Sequence, residues 1–151
     1  MNVQQFIATF RRVLDDQANS LGGGDGDTLW SDEEIVGYLT EAVNEVAERA
    51  LLIEDHTTSA VCTINLQAGV GEYPLHPSLL KIKRASWDGR PIHETSTEAL
   101  DCERLAWETL AGRPCKFIHT GSDTIRFYRI PRAEDIAVAP TVNLSVYRTP
   151  L

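Results

Sequence analysis

The clearest pattern of apolar and polar positions lies between Trp30 and Ile53. Apolar residues recur there at steps of three and four, the spacing of one face of an α-helix. Ser31 stands where a helix N-cap is expected, and Glu34 completes a capping box with it. The members of this apolar stripe are Ile35, Val36, Leu39, Ala42, Val43, Val46, Ala47, Ala50 and Ile53. The pattern predicts an amphipathic helix over Trp30–Ile53 whose stripe packs against other elements.

A second helical pattern precedes this one, over Val3–Ala18. Its apolar face needs a partner, and the Trp30–Ile53 helix is the nearest, so we predict an antiparallel helical hairpin. The connection Asn19–Leu29 contains the sequence GGGDGD at Gly22–Asp27, which we interpret as a solvated hinge. A phosphate-binding loop would need a Lys after its glycines, and the aspartates would repel phosphate. A calcium loop is the alternative, but the Glu that closes an EF-hand is missing.

Beyond Ser59 the apolar positions alternate, as in half-buried β-strands. The alternation over Cys62–Leu66 predicts one strand, followed by a turn at Gln67–Glu72. Leu79–Trp87 and Arg90–Glu94 are predicted as two further strands. Asp88-Gly89 between them is a strong signal for a two-residue hairpin turn.

The C-terminal part continues with one helical pattern among short strands. The remaining predicted elements are a helix over Thr95–Leu110, strands over Cys115–His119 and Thr124–Ile130 joined by a turn at Thr120–Asp123, a loop over Pro131–Pro140, and a last strand over Val142–Tyr147. The helix carries capping-box spacing at its start and a Gly-then-Pro stop after its end.

Together these elements predict an α+β fold with segregated layers. It comprises an N-terminal antiparallel helical hairpin, a third helix, and short antiparallel β-strands and hairpins. The 151 residues are predicted to form a single domain, 1–151. Residues 1–55 are its helical part, and residues 56–151 are its strand-rich part with the helix at about 95–110.

The net charge of −8 and the pI of about 4.9 argue against a surface that grips nucleic acid. This balance still permits DNA to pass nearby without being held. Lys81, Lys83 and Arg84 form the only dense basic cluster. We interpret it as the solvent face of a hairpin, and the alternative is a contact for an acidic partner surface. No apolar run has the length of a membrane span, so we predict no membrane contact.

Residues able to do chemistry show no recognisable arrangement. The four histidines have no close metal-binding spacing, and there is no motif for a serine or cysteine nucleophile. The three cysteines are far apart and are interpreted as reduced core residues. These residues are His56, His76, His93 and His119, and Cys62, Cys102 and Cys115. We therefore predict no catalytic site, no metal site and no cofactor.

Several stretches, taken in order, resemble the head-to-tail adaptor (connector) proteins of tailed bacteriophages. Leu29–Ile53 contains WSDEEI, YLTEAVNEV and RALLI, which are similar to the second helix of that family. Thr40 departs from the pattern, which usually has Asn there. The later matching stretches are Ala68–Gly89, Gly112–Pro131 and Asn143–Leu151. The resemblance covers most of the chain.

This resemblance implies a structural virion protein of the neck or tail, assembled in the host cytoplasm. Such adaptors form a homo-oligomeric ring, typically twelve-fold, beneath the portal protein. The ring extends the DNA channel without binding DNA specifically, and it docks a tail or nozzle protein. The candidate subunit or channel interface consists of Glu41, Asn44, Glu45 and Glu48 on the outer face of the Trp30–Ile53 helix, together with Lys81, Lys83 and Arg84.

Two other hypotheses belong to different classes. The chain could be another neck or tail-completion interaction module, which would bind tail-tube protein instead of portal protein. It could also be a small enzyme whose site is assembled by the fold. That hypothesis requires a concave pocket with a strongly perturbed titratable group.

Overall fold

The computed structural model describes residues 2–16, 28–119 and 123–151. The described helices are α1 (Val3–Val13), α2 (Asp32–Ala50), α3 (Ser59–Cys62), α4 (Thr97–Glu103) and α5 (Ala133–Val138), with a 3-10 helix at Trp107–Thr109. The described strands are β1 (Ile53–Asp55), β2 (Thr63–Asn65), β3 (Glu72–Pro74), β4 (Leu79–Trp87), β5 (Arg90–Glu94), β6 (Lys116–Ile118), β7 (Thr124–Tyr128) and β8 (Thr141–Arg148). The chain forms two compact units, Met1–Val46 and Ala47–Leu151.

Helix α1 starts with a reciprocal cap. The Asn2 side chain accepts a hydrogen bond from the Gln5 amide at 2.8 Å, and the Gln5 side chain accepts one from the Asn2 amide at 3.1 Å. The helix ends at Val13, and Asp15 has a positive φ of 55° that cannot continue it. It is therefore shorter than predicted. Residues 17–27, which include the predicted hinge, lie outside the described residues.

Arg11 connects the end of α1 to the start of α2. Its guanidinium donates to the Asp16 carboxylate at 2.9 Å, to the Trp30 carbonyl at 2.8 Å and to the Asp32 carboxylate at 2.6 Å. Asp16, which is buried, also accepts a hydrogen bond from the Leu29 amide at 2.7 Å. These contacts hold together the two described ends of the connection between the helices.

The predicted capping box of α2 is confirmed. The Ser31 hydroxyl accepts a hydrogen bond from the Glu34 amide at 3.2 Å, and the Glu34 carboxylate accepts one from the Ser31 amide at 2.9 Å. The helix ends at Ala50, before the predicted end at Ile53. Leu51 has a positive φ of 48°, and the chain then enters β1.

The strands form one sheet with the order β1-β8-β4-β5-β6-β7-β3, and β2 also pairs with β8. Strand β8, the last in the chain, pairs antiparallel with β1, β2 and β4. Strands β5 and β6 pair in parallel, whereas the other pairs are antiparallel. The hairpin of β4 and β5 around Asp88-Gly89 is confirmed, and both turn residues have positive φ, 49° and 72°.

The predicted fold class is wrong. A helical hairpin with a third helix and separate short β-hairpins describes the molecule only loosely. The described residues form a mixed α+β structure with five α-helices and an eight-stranded sheet, and strands dominate it. The cause is long-range pairing, because β8 joins strands from the first half of the chain. Periodicity reports local structure and carries no information about such pairing.

Three local predictions also need correction. The predicted Thr95–Leu110 helix is broken into α4 and the 3-10 helix, because the backbone is extended at Arg104 and left-handed at Ala106. The predicted Pro131–Pro140 loop contains α5, whose N-terminus is held by the Asp135 carboxylate accepting from the Arg132 amide. The predicted Cys62–Leu66 strand begins inside α3.

The main hydrophobic core belongs to the strand-rich unit. Its buried members are Val61, Cys62, Ile64, Leu66, Tyr73, Leu75, Ile82, Ala85, Trp87, Ile92, Phe117, Ile125, Phe127, Val142, Leu144 and Val146. A smaller cluster of Leu100, Trp107, Ile118 and Tyr128 packs α4 and the 3-10 helix against β6 and β7. The alternation of Val142, Leu144 and Val146 follows from the two-residue period of β8.

Candidate assembly surfaces

The apolar stripe of α2 is largely exposed. Val36, Val43 and Val46 are 38%, 48% and 52% exposed, whereas Ile35 and Ala47 are buried. The prediction that this stripe packs within the chain is therefore wrong for most of its length. An amphipathic helix gains most of its stability from packing its apolar face. Exposed apolar stripes of this kind mark sites where another protein binds.

The opposite side of α2 carries an exposed acidic stripe, which we define as Glu41, Glu45 and Glu48. At about 100° per residue, these carboxylates fall within about 60° of one another. Each is exposed, while Asn44 at the margin of the stripe is half-buried. Glu41 and Glu48 make no hydrogen bond or ion pair with any described residue. Two carboxylates with no internal partner are thus available to a cationic surface.

Glu34 lies on the same side of α2 but has a structural role. The backbone hydrogen bond from Ser31, followed by the bond from its hydroxyl, lowers the pKa of Glu34. The carboxylate also lies in the first turn, where it favours the helix dipole. We therefore leave Glu34 out of the acidic stripe.

An irregular register places Lys81 and Arg84 on one face of the sheet. The β4–β8 register shifts before Lys81 and again between Ile82 and Arg84. As a result, Lys81 pairs with Tyr147 and Arg84 with Ser145, and these partners are two positions apart on β8. Side chains two apart on a strand point to the same face, whereas residues three apart on a regular strand would not. The two cations, which we call the cationic pair, are both exposed.

Lys83 differs from the cationic pair because it already has a partner. Its Nζ lies 2.8 Å from the Glu54 carboxylate on β1 and 5.8 Å from the centre of the Tyr147 ring. The hydrogen bond to Glu54 raises the pKa of Lys83. Lys81 and Arg84 make no hydrogen bond or ion pair within the described ranges. The predicted basic cluster is thus one internally neutralised lysine beside two free cations.

The sheet face beside the cationic pair carries short polar side chains next to Arg84 and the Tyr147 ring next to Lys81. Arg84 pairs with Ser145, Ser86 pairs with Asn143, and Asn143 also pairs with Thr63 on β2. None of these side chains is buried. Next to Arg84 the side chains are short and polar, so an acidic helix can approach the sheet closely there.

The family profile described as SU10 adaptor protein matches residues 1–151. The chain belongs to this family. The family is one of phage head-to-tail adaptors, so the predicted resemblance is confirmed over the whole length. The chain is accordingly a phage structural adaptor and a component of the virion that interacts with other phage head or tail proteins. No curated protein matches the sequence.

Sequence reasoning missed an internal polar cluster in this SU10 adaptor chain. Buried Asp55 accepts hydrogen bonds from the Thr57 and Thr58 amides at 2.9 and 3.1 Å and from Arg148 Nε at 2.6 Å. The partners Asp55 and Arg148 lie on β1 and β8, 93 positions apart. Because no local pattern connects positions so distant, the sequence offered no signal for the pair. The cluster fixes the edge strand β1 to its neighbour β8.

The cysteines and histidines provide no reactive centre that we can recognise. Burial, followed by the nearby charge of Asp55, raises the pKa of the Cys62 thiol, which disfavours the nucleophilic thiolate. Cys102 and Cys115 are exposed, so their assignment to the core is wrong, whereas Cys62 is buried as predicted. Among the described residues, no cluster of His, Cys, Asp or Glu is arranged to hold a metal ion. In the same residues, no helix has the length and apolar character needed to cross a membrane.

Proposed function

We propose that this adaptor assembles into a homo-oligomeric ring beneath the portal protein, extends the DNA channel and docks the tail or nozzle protein. The ring is twelve-fold by similarity to other adaptors. We place it in the neck of the virion, with assembly in the host cytoplasm. The proposal assigns the protein no catalytic step and no cofactor.

The observation that carries the proposal is the lack of a core in the helical unit. Among the described residues of Met1–Val46, Ile35 is the only buried hydrophobic residue. The unit nevertheless exposes large apolar side chains on both of its helices and on the residues next to them. These side chains are Val3, Val13, Leu14, Leu29, Trp30, Val36, Tyr38, Val43 and Val46. Such a surface is stable in a particle if neighbouring subunits or the portal protein cover it.

A closed ring also needs two unlike surfaces on each subunit, because neighbours meet head to tail. The chain carries surfaces of three kinds: the apolar stripe of α2, its acidic stripe, and the cationic pair on β4. These surfaces are suited to contacts between unlike patches. The symmetry number itself has no physical derivation from these residues and comes from the family resemblance alone.

The charge of the chain suits a channel through which DNA slides. With a net charge of −8, a ring of identical subunits would repel phosphates on average. DNA binding by counterion release requires clustered Lys and Arg, and the only dense basic cluster is partly neutralised by Glu54. We therefore propose that genomic DNA passes through the ring without specific binding.

Multi-angle light scattering after size-exclusion chromatography tests this function. The protein is measured alone and then with purified portal protein, and complexes are imaged in negative stain. We expect a ring-shaped layer of added density on the portal. A protein that stays monomeric in both samples and adds no density would refute the proposal. Binding to tail-tube protein instead of portal protein would support the alternative of a tail-completion module.

A further inference from the structure

We infer that the acidic stripe of α2 in one copy binds the cationic pair of β4 in the neighbouring copy. The inference rests on the proposed ring, because it names the surfaces that meet between two subunits. The occupant of each surface is thus a second copy of this chain. The contact is heterologous, since the two surfaces are unlike.

The first support is charge complementarity between four side chains, two acidic and two basic. Lys81 and Arg84 have no internal partner among the described residues, and neither do Glu41 and Glu48. Lys83, between the two cations in sequence, is already paired with Glu54. In an acidic protein, two cations brought to one face by a register shift form an isolated positive site. Complementary charges fix the register of an interface and suppress wrong pairings.

The second support is spacing. Glu41 and Glu48, which make no hydrogen bond or ion pair with a described residue, are two helical turns apart, about 10 Å along the helix axis. Lys81 and Arg84 lie opposite positions two apart on β8, which corresponds to about 7 Å. Long Lys and Arg side chains can accommodate the remaining difference. Two cations can therefore contact two carboxylates of one helix at the same time.

The third support is the shape of the receiving face. The positions beside Arg84 hold Ser145, Ser86 and Asn143, whose short side chains let a helix approach the sheet, while the Tyr147 ring stands beside Lys81. Two cations are too few for a duplex, which is bound by extended basic surfaces. An acidic helix is the partner that this face fits, and α2 of a second copy supplies one.

Charge reversal tests the contact. The variant E41K/E48K reverses the acidic stripe, and K81E/R84E reverses the cationic pair. Each variant alone brings like charges together, so we expect at least a tenfold higher protein concentration for half-assembly than for the wild type. The oligomer is measured by light scattering, alone and on purified portal protein. All four residues are exposed, and thermal melting of the monomers checks that the variants fold.

Mixing the two variants gives a sharper result. In an equimolar mixture, the lysines of E41K/E48K face the glutamates of K81E/R84E, and the native stripe of the second variant faces the native pair of the first. We expect assembly to return, with the two variants alternating around the ring. Isotopic labelling of one variant and native mass spectrometry would show equal numbers of both in the oligomer.

Matched controls carry the same charge changes elsewhere. E94K/E108K and R90E/R104E alter exposed residues outside both surfaces, and we expect them to assemble like the wild type. Raising the salt concentration to about 1 M, where the Debye length is about 3 Å, should weaken assembly of the wild type. It should also strengthen assembly of each reversed variant, because salt screens the repulsion between like charges.

Three results would overturn the inference. If the reversed variants assemble like the wild type, the charges do not form the interface, although the proposed ring stands. If both reversed variants fail and their mixture also fails, the two surfaces do not meet each other. If the wild type forms no oligomer with or without portal protein, the proposed function fails, and the interface fails with it.

Discussion

Arg148 Nε lies 2.6 Å from the Asp55 carboxylate, and both residues are shielded from solvent on the strand-rich unit. The pair joins β1 to β8 near the C-terminal end of the chain. Asp55 also accepts hydrogen bonds from the backbone that follows it, so its charge is fully compensated. This relationship makes the stability of the sheet edge depend on the ionisation of one carboxyl group.

The Asp55 cluster predicts a specific pH dependence. Hydrogen bonds from Thr58 and Thr57, followed by the bond from Arg148, hold the pKa of Asp55 well below its ordinary value of 3.8. The unfolded chain therefore binds a proton first as the pH falls. The contribution of Asp55 to stability is complete well above pH 3.8 and is lost progressively at lower pH.

D55N should remove this dependence. We expect a lower melting temperature than that of the wild type at pH 7, because Arg148 loses its charged partner. The difference in melting temperature between D55N and the wild type should narrow as the pH falls from about 5 to about 2, because the wild type then loses the stabilisation that the Asp55 charge provides. E54Q is the matched control, since Glu54 is the neighbouring residue and its pair with Lys83 is exposed. A constant difference between D55N and the wild type across this range would contradict the assignment.

The contacts of Arg11 predict a local effect in the helical unit. R11A removes the donors to Asp16, Trp30 and Asp32, and it leaves the buried Asp16 carboxylate without its cation. We expect a local cost of about 1–3 kcal/mol and faster amide exchange in α1. R12A is the control, because Arg12 is exposed and its side chain makes no hydrogen bond or ion pair with a described residue. Equal amide exchange rates in α1 of R11A and R12A would show that Arg11 does not hold the end of α1 to the start of α2.

Local signals identified the features that a few neighbouring residues determine. The capping box of Ser31 and Glu34 and the Asp88-Gly89 hairpin are confirmed, because each depends on residues at most three positions apart. The break at Ala106 was missed, since it requires a left-handed alanine that sequence patterns disfavour. Long-range pairing was missed as well, and with it the correct fold class.

The candidate surfaces likewise include features that local periodicity located and features that depend on long-range contacts. Helical periodicity placed Glu41, Glu45 and Glu48 on one side of α2, and the structure agrees. The convergence of Lys81 and Arg84 depends on the register shift against β8, which no alternation pattern indicates. Periodicity also located the apolar stripe, but it could not tell that little of this chain covers it. What covers an apolar face is decided by tertiary and quaternary contacts.

Replacing Gly89 and Gly37 by alanine should change the stability of the protein in opposite directions. Gly89 has a φ of 72°, so G89A places a side chain in a left-handed conformation and should cost about 1–2 kcal/mol. Gly37 lies inside α2 with open space around it, so G37A should stabilise the helix by about 0.5–1 kcal/mol. Chemical denaturation measures the first, and helix content with amide exchange in α2 measures the second. A loss of stability in G37A would contradict the description of this face as open.

The exposed apolar stripe of α2 gives the prediction closest to function. V43S/V46S removes apolar surface that is about half exposed in the single chain, so we expect the monomer to lose little stability. If a neighbouring subunit covers the stripe, burial of the exposed half of each valine side chain contributes about 1 kcal/mol to assembly. Two such losses together should weaken association by about tenfold or more.

Sedimentation velocity over a concentration series measures this effect in the presence and absence of portal protein. V138S is the matched control, because Val138 on α5 is 55% exposed and belongs to none of the three candidate surfaces. We expect V138S to assemble like the wild type. If V43S/V46S also assembled normally while melting as the wild type does, the stripe would be solvent-facing in the particle. The ring contacts would then have to come from the charged surfaces.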